Sequence, residues 1–205
     1  MLFNSYEFVF AFLPIVLLAF FLIGRQNQSL AASFLGLASL FFYAWFSINA
    51  LPILLASIVF NYFLGLKISQ TKSKALTQTA IVANLLLLGF FKYFNFFYST
   101  IALGLGIDIS SAYPILEIAL PIGISFFTFT QIAFLVDCYQ GKVRETNPVH
   151  YLLFVTYFPH LIAGPVLHHA QMMPQFEKKE TYQLQYESIA LGTLIFAIGL
   201  AKKVL

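Results

Sequence analysis

Histidines 160, 168 and 169 crowd into FPHLIAGPVLHH, residues 158–169, within a chain that is otherwise apolar. Pro159 has no backbone N–H, and Gly164 with Pro165 supplies a second interruption, so a helix through this run must break and release backbone groups. Turned toward lipid, each released group would cost several kcal/mol, so they must face protein or water. Irregular backbone at membrane depth is tolerated where it lines a cavity, which makes His160, Gly164, Pro165 and His168 the candidate wall of a polar passage. There His160 and His168 would be polar contacts, and Gly164 and Pro165 would shape the break. The plainer reading is that Gly164 and Pro165 end a helix and leave His168 and His169 in an aqueous loop.

Other chemistries find less support. His160, His168 and His169 offer nitrogen ligands, but adjacent histidines project in different directions and no carboxylate lies close in sequence, so no metal site is expected. Ser, His and Asp occur without a GxSxG elbow, and phosphate loops, dinucleotide fingerprints and EF-hand patterns are absent, so no tightly bound cofactor is expected. A single cysteine, Cys138, excludes an internal disulfide and reads as apolar filling. Lys92, in LGFFKYFNFF, is a cation within a span and hence a functional suspect, yet its stem can carry the ammonium to the interface. Asp137, in FLVDCYQGKV, reads as an interfacial residue at a span end, with pairing in a neighbouring cavity as the alternative.

The elements that must hold these residues follow from composition. Of 205 residues, 60% are hydrophobic and only 9% charged, and mean hydropathy is +0.84, whereas a soluble domain is about a quarter charged. The chain is therefore expected to be an all-α, polytopic transmembrane protein whose first partner is the lipid bilayer. Its net charge of +3 comes from few residues and gives no ground for a nucleic-acid partner. A crossing helix needs about 20 apolar residues. Candidate spans are 6–24, 30–46, 48–66, 76–98 and 116–136, followed by a broken helix at 151–166 and a partial span at 189–205. The first lacks the basic region and cleavage site of a signal peptide. No internal repeat or soluble domain is visible, so 1–205 reads as one membrane domain.

Lys and Arg mark the cytoplasmic side in short loops. Arg25, then Lys67, Lys72 and Lys74, then Lys142 and Arg144 follow alternate spans, which puts the N-terminus outside. If 151–166 crosses, EKKE at 177–180 lies outside and the last helix ends inside at Lys202 and Lys203. If it only dips in, that helix points the other way. The charge alternation favours a crossing or a deep broken helix.

Several stretches, taken in order, resemble the membrane-bound O-acyltransferase family, in particular its bacterial alginate O-acetyltransferase-like branch. They are MLFNSYEFVFAFLP, SLFFYAWF, SIVFNYFLGL, LGFFKYFNFF, LPIGISFFTFTQIAFLVDCYQGKV, YFPHLIAGPVLHHAQMMPQF and FAIGLAKKVL, and they cover essentially the whole chain. The polar-punctuated LPIGISF, FPHLIAGP and GLAKKVL blocks are the specific ones. The resemblance implies a ring of tilted helices around a narrow passage in the bacterial cytoplasmic (inner) membrane. It implies transfer of an acetyl group from an activated acyl donor, such as acetyl-CoA, to hydroxyls of a periplasmic or extracellular polysaccharide such as alginate, or to an acyl-relay protein outside. The family's essential histidine lies downstream of anything matching GLAKKVL. His150, His160, His168 and His169 do not match it, so no catalytic residue is assigned in this chain. The expectation is an N-terminal part whose catalytic histidine lies beyond Leu205 and which is inactive alone. A membrane transporter or export component is the alternative, motivated by the broken segments and Lys92.

Overall fold

The computed structural model describes residues 2–104, 120–143, 147–161, 164 and 169–204, and the described residues form helices and turns with no strand. The chain opens on a π-helical turn, Phe8–Phe12, that leads into α1, Leu13–Gly24. Pro14 explains the wide turn. Its missing N–H and bulky ring disfavour a regular α-turn before it, and the Leu13 N–H reaches back to the Phe8 carbonyl instead. Helix α2, Gln28–Phe46, is capped by Asn27, whose Oδ1 accepts from the Leu30 N–H at 3.1 Å and satisfies one of the donors orphaned at a helix start. A 3-10 turn, Ile48–Ala50, precedes α3, Leu51–Thr71. Helix α3 ends at Lys72, which is left-handed with φ 48°, and α4 runs over Lys74–Gly104. Among the described residues, Gln28–Phe46, Ile48–Thr71 and Lys74–Ile101 are long and apolar enough to cross a membrane, while Phe8–Gly24 and Ile124–Tyr139 are shorter apolar helices.

Helix α5 covers Ile124–Tyr139, later than the expected 116–136. The Ile124 N–H closes a turn on the Pro121 carbonyl at 3.1 Å, and Gly123 takes φ 71°. That left-handed backbone cannot continue a right-handed helix, so Pro121 and Gly123 form an entry turn and not a kink within the span. Residues 116–119 lie outside the described residues, as do Arg144, Pro165 and His168. The last part comprises α6, Pro148–Thr156, α7, Phe158–Leu161, α8, His169–Phe176, a 3-10 turn at Lys179–Tyr182, and α9, Tyr186–Val204. Helix α1 packs on α2, α5 packs on both α3 and α4, and α6 lies against α2 and α3.

The path of this last part, expected to be a crossing or a deep broken helix, can be followed along α2 and α1. Leu152 lies next to Gly36, and the Phe158 N–H then reaches Ser39, one turn further along α2. From there the chain turns back. Tyr182 stacks on Phe20 at 5.3 Å and lies so close to Gly24 that a Cβ there would stand 3.0 Å from the Tyr182 Cβ. Lys179–Tyr182 is therefore at the Arg25 end of α1, where a crossing would have put it at the other end. Beyond the break at Tyr157 the chain returns, and α9 starts from the end at which α1 finishes.

Candidate functional site

At Tyr157 the helix breaks, and the two backbone groups it would have paired are the Phe154 carbonyl and the Phe158 N–H. Each finds a side chain. The Phe158 N–H donates to Ser39 Oγ at 3.2 Å, and that hydroxyl donates in turn to the Leu35 carbonyl at 2.8 Å. His160 Nε2 lies 3.3 Å from the Phe154 carbonyl. Since a carbonyl only accepts, this pairing places the ring proton on Nε2. The break is thus closed by protein, with Ser39 serving as both acceptor and donor. The Phe158 ring anchors it edge-on to Phe12 at 5.3 Å and against Phe42 at 5.6 Å.

His160 is buried and sits against the rings of Tyr157 and Phe126, at 5.3 and 5.6 Å. Its Nδ1 has no hydrogen-bond partner. Gly164 folds back onto it: the Gly164 N–H donates to the His160 carbonyl at 3.0 Å, and a Cβ on Gly164 would overlap the His160 side chain and lie 2.6 Å from its Cα. Only glycine fits so close an approach. His169 is buried between Phe134 and Phe154, with ring centroids at 5.3 and 5.2 Å. Among the described residues, no three His, Cys, Asp or Glu side chains converge to hold a metal ion. Pro165 and His168, the other candidate wall residues, lie outside the described residues.

Open space does border the break, through other residues. Tyr157 and Phe158 line a cavity of 350 Å³ between α1 and α8. Pro159 borders a larger one of 860 Å³ between α1 and α9. Leu17, Phe21, Gln175 and Thr181 line both, so the two are neighbours along one face of α1.

A second polar feature was passed over in the sequence. Ser57 and Asn61 on α3, Asn84 on α4 and Gln131 on α5 are all buried. Asn61 and Asn84 exchange amide hydrogen bonds, 3.0 Å one way and 2.7 Å the other. Ser57 Oγ donates to Gln131 Oε1 at 2.8 Å, and Asn61 Nδ2 donates to the same oxygen. The ladder ties three helices together, the kind of interhelical pairing that small polar side chains make in membranes. Its signal was present: an uncharged amide inside each of SIVFNYF, IVANLLL and FTQIAFL. Asp137, expected at an interface, is buried too. Lys92 is exposed and lies 5.4 Å from the Tyr93 ring centroid.

The architecture is that of an all-α membrane protein with an interrupted segment folded into its helical bundle. Comparison with known proteins narrows the class. Over its whole length the chain is 44% identical to a peptidoglycan O-acetyltransferase of Helicobacter pylori. It is 38% identical to a probable alginate O-acetylase of Azotobacter vinelandii and 36% identical to that of Pseudomonas aeruginosa, again over its whole length. These relatives belong to the membrane-bound O-acyltransferase family, and the chain is similar to them over its whole length. It covers 44%, 41% and 39% of those three relatives, and so spans about two fifths of their length. No protein-family model and no solved structure matches it.

Proposed function

We propose that this protein works as an O-acetyltransferase in a bacterial cytoplasmic membrane, passing acetyl groups from an activated donor such as acetyl-CoA to hydroxyls of a polysaccharide outside, directly or through an acyl-relay protein. The observation that carries the reading is whole-chain similarity to relatives named for O-acetylating two different carbohydrate polymers, peptidoglycan and alginate. In this reading Arg25, Lys67, Lys72, Lys74 and Lys142 face the cytoplasm and the N-terminus lies outside. The segment from Pro148 to Tyr182 enters from the cytoplasmic side and returns to it, which sets Lys178 and Lys179 among the other cations. It walls the acyl passage, with Gly164 and Pro165 shaping it, His160 bracing it and His168 lining it. No residue of this chain is assigned the role of the base that deprotonates the acceptor.

The test is mass analysis of ester-linked acetyl groups on envelope polysaccharide from cells with and without the full gene. Acetyl content is expected to fall on deletion and to return with the wild-type gene. Full-length protein carrying His160→Ala or His168→Ala should insert in the membrane and restore less. Polysaccharide acetylation unchanged by the deletion would overturn the reading. Full restoration by both variants would remove the two histidines from the passage.

A further inference from the structure

Two buried polar atoms beside the break have no hydrogen-bond partner among the described residues, Nδ1 of His160 and Oγ1 of Thr130. The first follows from the break itself. The Nε2 proton is engaged by the Phe154 carbonyl, so Nδ1 keeps a bare lone pair that can only accept. Gly164, folded onto the His160 Cβ, fixes where the residue stands. The second departs from the habit of this chain. Thr71, Thr77, Thr79, Thr100 and Thr156 each turn the hydroxyl to the carbonyl four residues back, the usual way a threonine satisfies itself in a helix. Thr130 is only 1% exposed and makes no such bond. Burying a polar atom unpaired costs stability, and a cost of that kind is kept where function needs the group.

Helix α5 brings the two atoms to the same stretch of wall. Phe126, Thr130 and Phe134 follow one another at steps of four residues and so form one stripe, each step about 6 Å along the axis. The Phe126 ring meets His160 at 5.6 Å and the Phe134 ring meets His169 at 5.3 Å, so Thr130 stands between the two histidines of the interrupted segment. Tyr157, whose ring meets His160 at 5.3 Å, also lines the 350 Å³ cavity, which puts open space one side chain away. The depth fits a meeting point. The break touches α2 at Ser39, roughly 16 Å along that helix from Gln28, near the middle of an apolar core about 30 Å thick. An acetyl donor entering from one face and an acceptor entering from the other come together at that depth.

We infer that His160 Nδ1 and Thr130 Oγ1 together hold the hydroxyl of the acetyl acceptor, the alcohol donating to Nδ1 and accepting from the threonine. The inference rests on the proposed O-acetyl transfer and names substrate contacts within it. A single atom that donates once and accepts once is a hydroxyl borne on carbon, and two partners saturate it, whereas a buried water makes about three hydrogen bonds. The pair positions the alcohol, and neither member is assigned the removal of its proton.

The test uses cells that lack the gene and are complemented with full-length protein. It reads the initial rate at which ester-linked acetyl appears on envelope polysaccharide after induction, beside the unfolding temperature of each purified protein in detergent. Thr130→Val keeps the shape and removes only the hydroxyl. It should unfold no lower than wild type and acetylate about tenfold more slowly, the factor that one lost hydrogen bond of about 1.4 kcal/mol gives. Thr130→Ser, which keeps the hydroxyl, should stay within about twofold of the wild-type rate. His160→Gln offers a donor to the Phe154 carbonyl but no acceptor where Nδ1 stands, and should also be about tenfold slower. Thr128→Val removes an equally buried and unpartnered hydroxyl that points about 200° away around α5, and should acetylate as wild type does. A lowered unfolding temperature in Thr130→Val would assign that hydroxyl to the fold, and an unchanged rate in Thr130→Val or His160→Gln would leave the pair to trapped water only. Either result overturns the assignment, as does equal slowing by Thr128→Val or Thr130→Ser. A wild-type gene that restores no acetylation would overturn the proposed reaction instead.

Discussion

Losing the Ser39 hydroxyl strands the Phe158 N–H in a buried place, and losing the His160 ring does the same to the Phe154 carbonyl. Leaving a buried backbone group unpaired costs about 1–3 kcal/mol. Ser39→Ala and His160→Ala are each expected to lower the unfolding temperature of the purified protein in detergent by an amount matching that range. The donor at position 160 matters more than its ring, so His160→Gln should recover part of the loss. Equal thermal stability of His160→Ala and wild type would remove the histidine from its bracing role. This pairing was only half legible in the sequence. Pro159 announced that backbone groups would be released. Ser39, far away along the chain within SLFFYAWF, gave no sign that it would accept one of them, because nothing local sets which face of α2 meets the break. The sequence marks His160 as a passage contact, and the structure adds that its Nε2 pairs with the Phe154 carbonyl at the break.

At the level of elements, the apolar runs were readable because a helix in lipid must satisfy its own backbone over a fixed thickness. Helices α2, α3 and α4 lie where expected and extend further at some ends, as with Lys74–Gly104 against 76–98. Helix α5 starts later than the candidate span opens because hydropathy is blind to the left-handed turn at Gly123. The packing between elements was not legible at all. Gly65 on α3 meets the Phe134 ring of α5 so closely that a Cβ would overlap it. Gly65→Val is expected to force the two helices apart at a cost of about 1–3 kcal/mol, measurable as a lowered unfolding temperature. The amide ladder yields a subtler result. In a double-mutant cycle over Asn61→Ala and Asn84→Ala, the coupling should be about 0.6 kcal/mol and at most about 1.7. A coupling of zero would mean that the reciprocal amide pair does not hold α3 to α4.

Across the whole molecule, the returning path of the last part makes a topological prediction. In a Cys138→Ser background, single cysteines at Arg25 and Lys179 should react with a membrane-impermeant maleimide from the same side, and a cysteine at the exposed Ile48 from the other. Labelling of positions 25 and 179 from opposite sides would establish a crossing in place of the return. The charge pattern left a crossing and a deep broken helix both open because it scores only where cations sit between spans, whereas Tyr182 against Gly24 records where the chain goes. The sealing of the break by Ser39 and His160 carries one more consequence. Because the freed N–H and carbonyl are both taken up by side chains of the same chain, the bend needs neither solvent nor lipid headgroups to satisfy its backbone.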